Sequence, residues 1–87
     1  MQFEARVEVG HREGILDPQG ATIERSLPAL GYTNVSGVRM GKIIRLVVEA
    51  ESERAALAQV GEMCERLLAN PVIEHYAIEL VAASALT

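Results

Sequence analysis

The sequence has a single cysteine, three aromatic residues and fewer basic than acidic side chains. With Cys64 alone, neither an intramolecular disulfide nor a cysteine-based metal site can form. A chain without disulfides fits a reducing compartment. Eight Lys+Arg against twelve Asp+Glu leave a net charge of −4. Binding nucleic acid through phosphates requires a positive surface, and so does a basic helix lying on a membrane, so both classes are disfavoured. RNA-binding sheets also need exposed aromatics for base stacking. The aromatics here are Phe3, Tyr32 and Tyr76, and the strand pattern puts Phe3 and Tyr76 on a core face. No run approaches the roughly 18 apolar residues of a membrane span. The start, MQFEARVEVG, alternates polar and apolar residues and lacks the basic and apolar segments of a signal peptide. The expectation is a soluble cytoplasmic domain with no nucleic-acid or membrane partner.

What is present is 87 residues, 49% of them apolar and 23% charged. That is one small globular domain spanning residues 1–87. A chain this short buries only about 60–65% of its unfolded surface, which allows one modest core and little room for a deep private site.

Period two over residues 2–9 places Phe3, Ala5, Val7 and Val9 on one face of a strand. The glycine-flanked run 10–14 reads as a loop. Asp17-Pro18-Gln19-Gly20 starts a helix, with Asp17 as cap and Pro18 at the first position, where its missing N–H costs nothing. Ile23, Leu27 and Leu30 continue one helical face. Pro28 should distort the last turn, and Gly31 should stop it.

Residues 33–50 read as a β-rich block. Gly41-Lys42 matches a two-residue hairpin turn, pairing Met40 with Ile43, Val38 with Arg45 and Ser36 with Val47. Both faces of such a hairpin carry apolar side chains, so Val38, Met40, Ile43 and Val47 are left over from the core. Ser52 caps a second helix over 52–69, with a stripe of Ala56, Val60, Met63 and Leu67 widened by Cys64 and Leu68. Asn70-Pro71 ends it. Residues 72–80 form a last strand, with Tyr76, Ile78 and Leu80 on one face. Residues 81–87 lack a pattern and read as a frayed tail. The order β-α-β-β-α-β is the ferredoxin-like arrangement, an α+β fold of four antiparallel strands with both helices on one face.

No catalytic constellation assembles. His11 and His75 lack acidic or thiol partners at a spacing that suggests a triad or metal site. Cys64 lies on an apolar helical side, where nothing lowers its pKa, and reads as a structural thiol. Met40-Gly41-Lys42 lacks the glycine-rich loop and following helix of a P-loop. An acylphosphatase-type reading would rest on Arg12 but lacks the surrounding glycines. A small-ligand-sensing regulatory dimer on the same fold stays open, with effectors near Gly10 and Gly14. The leftover apolar hairpin face favours burial against another chain. Arg39, Gly41 and Lys42 at its tip are the candidate anchors.

Four runs carry a family resemblance: Gly14-Ile15-Leu16-Asp17-Pro18-Gln19-Gly20, Leu30-Gly31-Tyr32, Val38-Arg39-Met40-Gly41-Lys42 and Asn70-Pro71-Val72-Ile73-Glu74. In this order and spacing the chain resembles the small subunit of phosphoribosylformylglycinamidine synthase, the PurS family, over nearly its whole length. Pro28 interrupts a helix that usually reads through, and His11-Arg12 stands where a lysine is commoner.

The resemblance implies a non-catalytic subunit of a complex in de novo purine biosynthesis. That complex converts formylglycinamide ribonucleotide, ATP and glutamine into formylglycinamidine ribonucleotide. A large synthetase subunit would use ATP and Mg, a glutaminase subunit would release ammonia, and the small subunit would help join them so that ammonia passes between sites. No cofactor would bind this chain itself. Homodimers or dimers of dimers are implied as well. The expected interface is Val38, Arg39, Met40, Gly41, Lys42, Ile43 and Val47. The motif residues Asp17, Pro18, Gly20, Asn70 and Pro71 are read as conformational.

Overall fold

A computed structural model describes residues 1–82. The chain runs β1 (Gln2–His11), α1 (Pro18–Ser26), a 3₁₀ turn (Pro28–Leu30), β2 (Gly41–Glu49), α2 (Glu53–Met63), a π turn (Cys64–Leu68) and β3 (Glu74–Ala82). The three strands form one antiparallel sheet in the order β2-β1-β3. Val81 and Ala82 of the expected tail pair within β3, and residues 83–87 lie outside the described residues. No helix among the described residues is long and apolar enough to cross a membrane.

The fold is α+β, but with three strands in place of four. The missing strand is residues 33–40, and with it goes the hairpin at Gly41-Lys42. Gly41 pairs with Gly10 of β1, and Lys42 with Val9, so β2 begins where the turn was expected. Gly41 is needed here for clearance: a Cβ would stand 2.6 Å from the carbonyl oxygen of Val9. Residues 33–40 instead form an irregular arm, with a bend at Asn34 and Gly37 at φ 70°. The Val38 and Met40 amides are taken by the side chains of Glu24 and Asp17 instead of by a ladder partner.

The core is one-sided. Phe3, Ala5, Val7 and Val9 are all buried on the helix side of β1, as period two requires. Val48 joins them, and α2 closes over them with Ala56, Val60, Cys64 and the following Ala69. Ser52 caps α2 by accepting from the Ala55 amide at 3.1 Å. The π turn refines the expected stripe. The Ala69 amide donates to the Cys64 carbonyl at 3.0 Å, an i→i+5 bond that widens the turn. This keeps Cys64 and Leu68 against the core but rotates Leu67 outward, where it is 83% exposed.

The second correction concerns α1. It contributes nothing to the buried core, so the two helices do not share a face of the sheet. Its only buried residue is Gly20, and Ile23 and Leu30 are exposed. Pro28 does distort the end of the helix: α1 stops at Ser26, a 3₁₀ turn follows, and Gly31 closes it in the left-handed region at φ 97°.

The molecule is consequently flat, 51 × 32 × 14 Å. Its radius of gyration is 16.6 Å, whereas a compact chain of this length would have about 12 Å. Ile44, Leu46, Ile78 and Leu80 on the helix side of the sheet stay only partly covered.

The core argument predicts that Val60→Ala lowers unfolding stability by about 2 kcal/mol, whereas Leu67→Ala changes it by less than about 0.5 kcal/mol. Urea denaturation at fixed protein concentration measures both.

Candidate functional site

The site is a junction of three segments: the N-terminus of α1, the arm 33–40, and the end of the sheet where β1, β2 and β3 meet. Asp17 organises it. One carboxylate oxygen, Oδ1, accepts from the Gly20 amide at 3.0 Å and caps α1. The other, Oδ2, accepts from the Met40 amide at 2.7 Å and fastens the arm. Two turns further along, Glu24 Oε1 accepts from the Val38 amide at 2.8 Å. Two carboxylates on one helix thus hold alternate amides of the arm.

Gly20 makes this approach possible. A Cβ there would stand 2.6 Å from both Asp17 Oδ2 and the Val38 carbonyl oxygen. The Asp-Pro-x-Gly motif is therefore a helix start and a clamp at once. The two amide donors hold the Asp17 carboxyl below the ordinary aspartate range, with smaller help from His11 and Arg39.

Asn70-Pro71 is likewise structural. Asn70 Oδ1 accepts from the Val72 amide at 3.1 Å, and the Asn70 amide donates to Glu74 Oε1 at 2.7 Å. Arg12 donates from Nε to the Pro71 carbonyl at 2.8 Å and from its backbone amide to the Ile73 carbonyl at 2.8 Å. Its guanidinium serves to tie this turn to the end of β1. Cys64 is fully buried, and burial followed by the neighbouring Glu65 charge pushes its thiol up, which removes nucleophilic character.

Of the residues expected to meet a partner, Arg39, Met40, Gly41, Lys42 and Ile43 do gather, around a cleft at the sheet end. Val47 lies further along the same sheet face and is 60% exposed, and Val38 sits half-buried beside α1. The reading of the sequence gave Glu24 no role. The signal was available: Asp17 and Glu24 are seven residues apart, two turns along one helical face. It also missed Arg6 and His75 as neighbours of the arm, because only strand register brings them there.

With this geometry in view, comparison with known proteins gives one consistent result. Residues 4–82 match the family model described as PurS, phosphoribosylformylglycinamidine (FGAM) synthase. The chain belongs to the PurS family. The PurS subunit of Synechocystis is 45% identical over 92% of this chain and 80% of its own length. The crystal structure of Methanocaldococcus jannaschii PurS superposes with a TM-score of 0.81 at 40% identity, covering 92% of this chain and 96% of that one. That protein is one of the subunits of formylglycinamide ribonucleotide amidotransferase in the purine biosynthetic pathway. A chain of the PurLQS structure from Thermotoga maritima gives a TM-score of 0.85 at 40% identity, covering 93% and 99%. In this PurS chain the family likeness runs through the clamp, the arm and the one-sided sheet alike, since the match spans all three.

Two outcomes are expected. Gly20→Ala should raise hydrogen exchange at the Val38 and Met40 amides by about tenfold or more while leaving the α2 amides protected. Asp17 has a depressed pKa when folded, so its contribution is complete above the unfolded value of about 3.9 and is lost as pH falls through the lower folded value. Exchange or NMR at Met40 should therefore report release of the arm in acid, and Asp17→Asn should show that release already at neutral pH.

Proposed function

We propose that this chain is the non-catalytic small subunit of FGAM synthase, and that it joins a glutaminase subunit to an ATP-dependent synthetase so that ammonia passes between them. The observation that carries the reading is an unmatched pair of apolar surfaces. One is the half-covered helix side of the sheet, with Ile44, Leu46, Ile78 and Leu80. The other is α1 and its flanks, where Leu16, Ile23, Leu30 and Tyr32 are exposed. A catalytic domain would use such apolar material to enclose a pocket. Here it faces outward on a flat molecule, as a connecting piece requires.

The two surfaces are complementary in kind, which supports a homodimer. A second copy can lay its α1 on the vacant half of this sheet, and the outer edge of β2 is free of a strand partner among the described residues. An edge strand of this kind accepts a further strand. The apolar side chains expected at the interface lie on the arm and the open sheet face, where Ile43 and Val47 are exposed; the helix side adds the partly covered Ile44, Leu46, Ile78 and Leu80, and we place the homodimer contact there. ATP and magnesium chemistry is assigned to the synthetase partner.

The physical case for such a subunit is protection of ammonia. Protonated to ammonium in water, it is no nucleophile. A shielded passage keeps it neutral and locally concentrated, and a subunit that positions the other two supplies the shielding by excluding water.

Sedimentation of the isolated chain should give about twice its 9.4 kDa mass at high micromolar concentration; a purely monomeric species would overturn the dimer. Adding the chain to the glutaminase and synthetase should raise the glutamine-dependent rate much more than the rate with high external ammonium. Equal effects on the two assays would overturn the coupling role.

A further inference from the structure

The end of the sheet carries a cleft, reached from both faces, that the subunit reading does not use. It is a concavity of about 690 Å³ at the end of the sheet where β2 begins. Arg6, Arg39 and Lys42 line it, three of the eight lysines and arginines in the chain, together with both histidines. Glu8 is the one carboxylate in the lining. A chain of net charge −4 is locally positive here.

Carboxylates lie near these cations, Glu8 in the lining and Glu79 opposite Arg6 in the register, but none pairs with them in contact. Among the described residues, Arg6, Arg39 and Lys42 make no ion pair and no side-chain hydrogen bond. Asp17 is close enough to Arg39 to feel its charge, but both of its oxygens already accept backbone amides. Like charges brought together without a partner repel, and an anion relieves that repulsion. His11 adds a second unfilled valence: its Nδ1 is buried and has no hydrogen-bond partner among the described residues.

The shape agrees with the charge. Gly10 and Gly41 stand opposite each other in the register, so this part of the floor carries no side chains. The His75 ring lies against Gly10, its Cε1 3.0 Å from where a Cβ would be. Met40 and Ile43 supply an apolar wall. The volume falls in the range of roughly 300–1,000 Å³ typical of small-molecule sites. A cleft lined by two guanidinium groups and an ammonium group suits a phosphate more than a single carboxylate, since phosphate offers three oxygens to several donors.

We propose that this cleft binds an organic phosphate of mononucleotide size. Arg39 and Lys42 hold the phosphate with Arg6 beside them, and the organic part rests on Met40, Ile43 and the His75 ring. The proposal needs only residues of this chain, so it stands or falls separately from the coupling role.

The test titrates the full chain with adenosine monophosphate and with inorganic phosphate, at ionic strength held constant with sodium chloride. Two-dimensional NMR reads the Gly10 and Gly41 amides and the His75 ring. Saturable shifts are expected with both probes, tighter for adenosine monophosphate. The double variant Arg39→Ala/Lys42→Ala should weaken binding by about tenfold or more, with an unchanged circular dichroism spectrum, and Glu8→Gln should tighten it. Shifts that merely follow ionic strength, or a double variant with unchanged affinity, would overturn the site. Equal affinity for the two probes would overturn its assignment to an organic ligand.

Discussion

The structure depends on where the amides of residues 38 and 40 find their acceptors. Backbone N–H groups shielded from water must be paired, and a strand would pair them through a ladder. Here the carboxylates of Asp17 and Glu24 take them first. That choice binds the arm to α1 instead of to the sheet, and α1 with its arm becomes a unit distinct from the sheet and α2. The one-sided core, the flat outline and the uncovered apolar faces all follow from it.

A core of this kind is small. Four side chains of β1 and a short row from α2 form most of it, and the largest fully buried side chains are Val7, Val9, Val60 and Cys64. A single helix cannot cover three strands, so the fold leaves apolar surface on the sheet and on α1. The same incompleteness that limits the stability of one chain makes it suited to assembly. Membership of the PurS family and the shape of the molecule therefore point the same way, towards the proposed role of a connecting subunit. The cleft at the end of the sheet is different in character, because its incompleteness is one of charge rather than of area.

Much of the local structure was legible from short stretches. The alternation in β1, the caps at Asp17 and Ser52, the distortion at Pro28 and the stop at Gly31 each depend on residues within a turn or two of each other. Gly41 shows why the next level was not. A glycine before lysine fits a tight turn, but this one is required because the Val9 carbonyl lies where a side chain would be. Leu67 shows the same limit on a helix: a 3.6-residue stripe includes it, and one i→i+5 bond turns it into solvent. Of the candidate site, the motif residues Asp17 and Gly20 were visible, whereas the second oxygen of Asp17 and the role of Glu24 were not.

The sequence by itself determined the types of the two helices and of β1, β2 and β3, their boundaries near caps and breakers, the face of β1 that is buried, and the family, because these rest on periodicity, on local hydrogen bonding and on motifs in fixed order. Only the tertiary structure decided that the arm leaves the sheet, that α1 stands apart from the core, and that Arg6, Arg39, Lys42 and His75 share one cleft. Those outcomes depend on competition between distant partners for the same backbone amides and on strand register. Neither is encoded in the spacing of neighbouring residues.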